Sequence, residues 1–145
     1  MIGMDMARAV AALVNEGDFD PYEFTAQAAL FAPRKRADQL HGLEVSVTFA
    51  SPEKEMTSRA TREVRYPIAV IVRKKTDAAE LESLCELIDA IDAHLAATQI
   101  TVDGIAMPWM DSEINSFDEG TWQSTRVFLG IVTAEYRYVE KVPRA

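Results

Sequence analysis

The amino-acid sequence predicts an α+β domain in which a mainly antiparallel sheet of four to five strands carries a long helix on one face, with a short helix at the N-terminus. Two observations lead to this class. Residues 78–97 repeat apolar side chains at helical spacing, whereas residues 43–49 and 63–73 alternate apolar with polar side chains, as half-buried strands do. The 145 residues suffice for one core and contain no repeat or linker, so we expect a single domain spanning 1–145.

The N-terminal third predicts one helix and one strand. Residues 4–15 place apolar side chains at helical spacing, and Gly17 can end that helix in the left-handed conformation. Residues 23–31 alternate with a period of two, which predicts a strand that stops at Pro33. A short helical turn is expected over 34–41.

The middle of the chain predicts two strands around a charged segment. Residues 51–62 carry no apolar stripe, which leaves a mobile loop or the tip of a long hairpin as interpretations. Pro67 lies within the strand 63–73 and removes one backbone donor, which predicts an edge position or a bulge.

The helix 78–97 should begin at Thr76 or Asp77 as N-cap, with Glu80 placed to complete a capping box. Its apolar stripe is spaced 3, 4, 3, 4 and consists of Leu81, Leu84, Ile88, Ile91 and Leu95.

The C-terminal part predicts a strand near 104–111, an acidic loop over 112–120 and one long strand over 121–139. Apolar side chains occupy both faces of the middle of this last strand. This is typical of a central strand that is covered on both sides or lies at an interface.

Composition narrows the function classes. A formal net charge of −8 argues against a nucleic-acid-binding module, because the surface would repel phosphates. Cys85 is the only cysteine, so no disulfide can form within the chain. No apolar run is long enough to span a membrane, and the first residues do not resemble a secretory signal.

The residues that could carry chemistry are few and scattered, and we expect no catalytic residue, metal site or cofactor. The glycines form no phosphate-binding loop. His41 and His94 lack further ligands at recognisable spacing, and Cys85 lies in a predicted helix without an adjacent base. An enzyme is therefore not expected.

Two pairs of carboxylates keep a second function class open. Asp18 and Asp20 flank Phe19, and Asp111 and Glu113 flank Ser112. Such pairs can perform acid–base chemistry when burial separates their pKa values. Both pairs fall in predicted loops, which favours turn chemistry, but a small enzyme or ligand-binding α+β domain remains an alternative.

Aromatic and methionine side chains gather around the acidic loop at 107–122. They are Trp109, Met110, Phe117 and Trp122. Such residues are enriched at protein interfaces, yet they also form small satellite cores beneath loops. The sequence favours neither interpretation over the other.

The order of elements resembles that of the tail terminator proteins of long-tailed bacteriophages, a family that includes proteins labelled minor tail or neck proteins. The matching segments are the opening helix 5–14, the strand 22–33 with its basic turn Arg34-Lys35-Arg36, the strand 43–48, the charged loop with Ser58-Arg59, the strand 66–75, the helix 78–97 and the terminal strand 128–138.

The resemblance implies a structural protein that forms a ring, a hexamer in that family, on the end of the tail tube. Its implied partners are further copies of itself, the tail tube protein and the head–tail connector protein, while DNA passes through without specific binding. The implied location is the tail of a virion assembled in the host cytoplasm. The charged loop 51–62, with Arg59 and Arg62, and the loop 107–120 are then candidate contact surfaces.

Two further alternatives stay open at this point. The chain could be a head-completion or neck connector protein, which shares much of this pattern. It could also be a host regulatory or stress protein.

Overall fold

The computed structural model describes residues 2–32, 35, 37–57 and 60–141. Within these residues, three α-helices and eight strands follow one another. They are α1 (Ile2–Glu16), β1 (Gln27–Ala28), β2 (Glu44–Phe49), β3 (Glu53–Met56), β4 (Thr61–Lys75), α2 (Leu81–Ala96), β5 (Ile100–Val102), β6 (Ile105–Met107), β7 (Trp109–Asn115), α3 (Glu119–Thr125) and β8 (Val127–Lys141). Short 3-10 helices cover Ala37–Gln39 and Ala78–Glu80.

The main sheet has the strand order β1-β2-β4-β8-β7, with β3 pairing β4 beyond the end of β2. All of its pairs are antiparallel except β1–β2. Strands β5 and β6 form a separate hairpin. The α+β class and the predominantly antiparallel sheet are therefore confirmed, with more strands than the four to five expected.

Both long helices lie on the same face of the main sheet. Helix α1 packs on β2 and β5, and α2 packs on β8 and β7. The alternation predicted for 63–73 is confirmed, because its even-numbered side chains are buried beneath these helices. The helix predicted over 78–97 is also confirmed. Its buried stripe comprises Leu84, Leu87, Ile88, Ile91 and Leu95.

The strand predicted over 23–31 is wrong for most of its length. Only Gln27 and Ala28 pair with β2, and they do so in parallel. The Asn15 side chain instead holds this segment through both the N–H and the carbonyl of Ala26. Leu30, expected on the buried face, is 60% exposed. Pro33 lies outside the described residues.

Two predicted helix ends also differ. Gly17 keeps a negative φ, and a side chain there would collide with Phe19. Glu80 forms no capping box; its carboxylate accepts hydrogen bonds from Lys74 and from the Thr76 hydroxyl. The N-cap predicted at Thr76 or Asp77 is confirmed for Asp77, which caps the 3-10 turn leading into α2 by accepting from the Ala79 N–H.

Pro67 lies in a central strand, so the edge position predicted for it is wrong. Its carbonyl accepts from the Ala50 N–H on the side of β2, which places its nitrogen on that side as well. On that side of β4, β2 ends at Phe49 and β3 begins only at Glu53. The missing donor of Pro67 thus falls in a gap between two partner strands.

The C-terminal expectations need the largest correction. Strand β7 runs to Asn115, so Asp111 and Glu113 lie on a strand rather than in a loop. Residues 119–125 form α3 and not the start of a long strand, because the Asp118 side chain caps the Thr121 N–H and begins a helix. Strand β8 is central, as predicted, but starts only at Val127.

Candidate assembly surface

The longest feature of the sheet is the antiparallel pair β4–β8, whose fifteen-residue strands pair from Thr61 opposite Lys141 to Lys75 opposite Val127. Strand β2 flanks β4 only over 68–73, and β7 flanks β8 only as far as Tyr136. The pair therefore extends about 20 Å past both neighbours at 3.4 Å per residue. We call β3, residues 61–66 and residues 136–141 the ribbon.

The side chains at the base of the ribbon pack into the core. Val64, Tyr66 and Tyr136 lie on the helix-facing side and are buried. Burial raises the pKa of the Tyr136 hydroxyl far above its ordinary value, and burial also raises the pKa of Tyr66. On the same side, Arg62 forms an ion pair with Glu140 across the two strands. The ribbon is thus a fixed extension of the sheet.

One margin of the ribbon is the outer side of β8. The Arg137 N–H donates to the Pro108 carbonyl, so odd-numbered residues of β8 direct their backbone groups away from β4. Beyond Arg137 no described strand pairs on that side. The backbone groups of Val139 and Lys141 therefore form a free strand edge, which we call the β8 edge.

The opposite margin is the outer side of β3. Glu53 and Glu55 pair with Arg65 and Glu63, whose backbone groups face β3. The backbone groups of Lys54 and Met56 point the other way, where no strand in the described part of the chain lies. This is the second free edge, which we call the β3 edge, and all four of its side chains are exposed.

The sheet also leaves one face without a helix layer. In its centre lie Ala69 and Ile71 of β4 and Leu129 and Ile131 of β8, all half-buried. The sequence prediction that β8 is apolar on both faces is consistent with this arrangement. Among the described residues, α1 and α2 cover only the opposite face.

The predicted contact residues Phe117 and Trp122 lie against the core. Phe117 stacks on the buried Phe128 with ring centroids 6.0 Å apart, and it packs at 6.4 Å against Trp122. The Arg126 guanidinium lies 4.3 Å above the Trp122 ring. These side chains form a cluster that joins α3 to β8.

The other predicted contact residues are dispersed. Trp109 is half-buried at the start of β7, and its indole N–H is buried without a hydrogen-bond partner among the described residues. Met110 occupies a bulge of the same strand and is exposed. Arg62 lies on the ribbon, in its ion pair with Glu140. Arg59 lies outside the described residues.

The residues considered for chemistry are separated from one another. The thiol of Cys85 donates to the Ser116 carbonyl, and burial together with Asp89 and Glu82 raises its pKa, which disfavours the reactive thiolate. A ring nitrogen of His94 lies 2.7 Å from the Leu13 carbonyl oxygen, and the ring packs edge-on against Phe19. The described residues contain no group of three or more side chains placed to hold a metal ion.

The two carboxylate pairs lie at the surface. Asp18 and Asp20 are exposed, and an oxygen of Asp18 accepts from the Asp20 N–H. Asp111 and Glu113 project from the open face of β7 beside β8. Nothing in this geometry buries the carboxylates, which acid–base chemistry at separated pKa values would require.

An apolar crevice of about 400 Å³ lies between the start of β8, α3 and the 3-10 helix at Ala37–Gln39. It is lined by Lys35, Leu40, Arg73, Thr121, Thr125, Val127 and Leu129. It holds none of the carboxylate pairs. The acidic residues of the ligand-binding alternative therefore do not converge on it.

The free strand edges could not be recognised from alternation alone. The available signal was the difference in length between strands, since the strands predicted over 63–73 and 121–139 are longer than those predicted over 43–49 and 104–111.

Comparison with known proteins yields structural likenesses rather than sequence matches. No family model matches the sequence, and neither does any curated protein. A chain of the solved structure "Virion of native gene transfer agent (GTA) particle" aligns with a TM-score of 0.47 and 11% identity, covering 90% of this chain and 84% of that one. A likeness this distant carries no functional conclusion.

Membrane insertion by helices finds no support in the described part of the chain, since none of its helices is both long and apolar enough to cross a bilayer.

Proposed function

We propose that this chain is a structural virion protein that closes into a ring at the end of the tail tube of a long-tailed phage. The ring would stop tube growth and join the tail to the head connector. The resemblance in element order suggests this role. The observation that carries it is that one compact fold presents two different free strand edges, at β3 and at β8.

A closed ring requires two different complementary patches on each subunit, because its contacts run head to tail. A two-fold dimer needs only one self-complementary patch. The β3 edge and the β8 edge lie on opposite margins of the same ribbon, separated by β4. This arrangement suits a repeating contact and supports ring formation.

The acidic balance suits passage of DNA through such a ring. With a net charge of −8, a lumen lined by carboxylates would repel phosphates and let the polymer slide. Asp111 and Glu113 on the open face of β7 are exposed acidic groups that could line it. DNA would then be transported without being bound specifically.

Contacts to the tail tube and the connector are assigned to residues 107–120, most of which form β7, and to the part of the charged segment 51–62 that lies outside β3. Met110 is the exposed apolar residue of the first. Arg59 and Arg62 belong to the second. Trp109, Phe117 and Trp122 would support these contacts from beneath, because they pack against the core or half-buried strands.

Size-exclusion chromatography with light scattering tests the proposal, with electron microscopy of the same fractions. The purified chain is measured alone and together with the tail tube protein of the same phage, since a ring can require the tube as a template. Rings on tube ends would support the role. A chain that stays monomeric and leaves tube length unchanged would refute it.

The neck-connector alternative predicts a different partner. In that case the chain would co-purify with the head-side connector and would not cap tubes assembled from the tail tube protein.

A further inference from the structure

We infer that neighbouring copies join edge to edge, with the β8 edge of one copy adding as a strand to the β3 edge of the next. This rests on the proposed ring and names the contact that closes it. The result would be a sheet that continues from subunit to subunit.

The backbone geometry matches this pairing. Strands β3 and β8 are both antiparallel to β4, so they run in the same direction within one copy. Copies related by rotation about an axis along the strands would bring the two edges together in parallel. The outward-pointing backbone groups then set the register. The N–H and carbonyl of Val139 would bond to Lys54 and Met56 of the neighbour, which places Val139 opposite Glu55.

The side chains match in the same register. Arg137 has a side chain 45% exposed and lies 3.7 Å from Glu63 of its own chain. In the proposed register it would also lie opposite Glu53 and diagonal to Glu55 of the neighbour. On the other face Glu140 would lie diagonal to Lys54. No like charges face each other, and cross-strand pairs of opposite charge stabilise a sheet.

The edge of β7 is a poorer candidate for the same contact. It carries Asp111 and Glu113 on the face where β3 carries Glu53 and Glu55, so pairing would set carboxylates against carboxylates. It is also interrupted by the bulge at Met110. Bulges and charges of this kind protect sheet edges against pairing.

Cysteine cross-linking tests the contact directly. In a Cys85→Ala background, the pair Glu55→Cys and Val139→Cys is oxidised under ring-forming conditions. Within one chain both residues pair with Glu63, on opposite sides of β4, so they lie two strand spacings or about 10 Å apart. That exceeds the roughly 7 Å limit for a disulfide, so only neighbouring copies can be linked.

The expected result is a ladder of covalent oligomers up to the ring size on a non-reducing gel, absent from both single-cysteine variants. The pair Glu53→Cys with Val139→Cys covers a two-residue shift of register. Disulfide dimers from Val139→Cys alone would show a two-fold contact of β8 with β8 and overturn the inference.

Charge reversal provides a second test that does not depend on cysteine geometry. Two variants are compared: the single variant Arg137→Glu and the double variant that combines Glu53→Lys and Glu55→Lys. Each of them alone should weaken self-association roughly tenfold or more. Mixing the two variants should restore it, because every contact in an alternating ring then joins opposite charges. Arg8→Glu on α1 and Glu82→Lys on α2 are matched controls at exposed positions away from both edges.

The outcomes separate the contact from the proposed function. Rings that form normally, without a ladder in either register and without an effect of Arg137→Glu, would overturn the edge pairing and leave the ring standing. Absence of rings with and without tail tube protein would overturn both. Circular dichroism melts of each variant confirm that it folds.

Discussion

Gly130 lies directly beneath Ile88, so that a Cβ atom on this glycine would sit 2.7 Å from the Ile88 Cδ1 atom. The contact fixes how closely α2 approaches β8. Gly130→Ala should destabilise the chain by about 1–3 kcal/mol, because the added methyl group overpacks a buried contact. Urea unfolding measures the effect.

Two further variants define the cause of this effect. The Ile88 Cγ1 and Cδ1 atoms would both lie 2.7 Å from the added Cβ, and Ile88→Ala removes both, so the cost of Gly130→Ala should be smaller in that background, as a double-mutant cycle would show. Gly120→Ala is the control, since its Cβ would meet only Asp118 Oδ1 at 3.6 Å and a helical alanine is favoured. An equal cost in both backgrounds would exclude the contact as the cause.

Glu80 links the end of β4 to the start of α2 and to the Tyr22 hydroxyl. The hydrogen bond from Lys74, 2.6 Å long, lowers the pKa of Glu80, and the Thr76 hydroxyl lowers it further. A lowered carboxyl pKa means that the folded chain favours the ionised form. Its stabilisation is therefore present above the ordinary glutamate pKa of about 4.3 and is lost as pH falls through the folded value.

Glu80→Gln should accordingly cost about 1 kcal/mol at pH 7, reduced by solvent screening, and less at pH 3. Chemical unfolding at both pH values measures the difference. Glu82→Gln, at an exposed position of α2, is the matched control. An equal loss at both pH values would mean that the ionised carboxylate is not the stabilising form.

Long-range pairing explains what the sequence could and could not predict. The alternation of 63–73 and the stripe of α2 identify buried faces, because burial alone sets those periods. The parallel pair at Gln27–Ala28 depends on Asn15, eleven residues before Ala26, which no local pattern contains. Helix α3 was missed because Gly120, Thr121, Ser124 and Thr125 are weak helix formers. Its one local signal was Asp118 as N-cap.

For the candidate contact residues, too, the sequence predicted only part of what the structure shows. The aromatic residues at 107–122 include the packed pair Phe117 and Trp122, but only tertiary structure shows Phe117 facing the core while Met110 faces outward. The free edges of the ribbon depend on where β2 and β7 stop. That is a property of the whole sheet.

Arg126 ends α3 in the left-handed conformation with φ of 58°, which costs a side-chain-bearing residue roughly 1 kcal/mol. Arg126→Gly and Arg126→Ala both remove the guanidinium from above Trp122. Their difference therefore isolates the backbone, and the glycine variant should be about 1 kcal/mol more stable. Thermal or urea unfolding measures it. A more stable alanine variant would contradict the assigned conformation.

Phe117 and Met110 distinguish a satellite core from a contact surface. Phe117→Ala removes the stack on Phe128 and should lower the stability of the isolated chain by about 2 kcal/mol. Met110→Ala should change stability by less than about 0.5 kcal/mol, because the side chain is exposed, and yet weaken binding to the tail tube protein. Leu30→Ala is the matched control for an exposed apolar residue elsewhere. If Phe117→Ala left stability unchanged and abolished tube binding, the cluster itself would be the contact surface. If Met110→Ala and Leu30→Ala bound tubes equally well, Met110 would have no part in the contact.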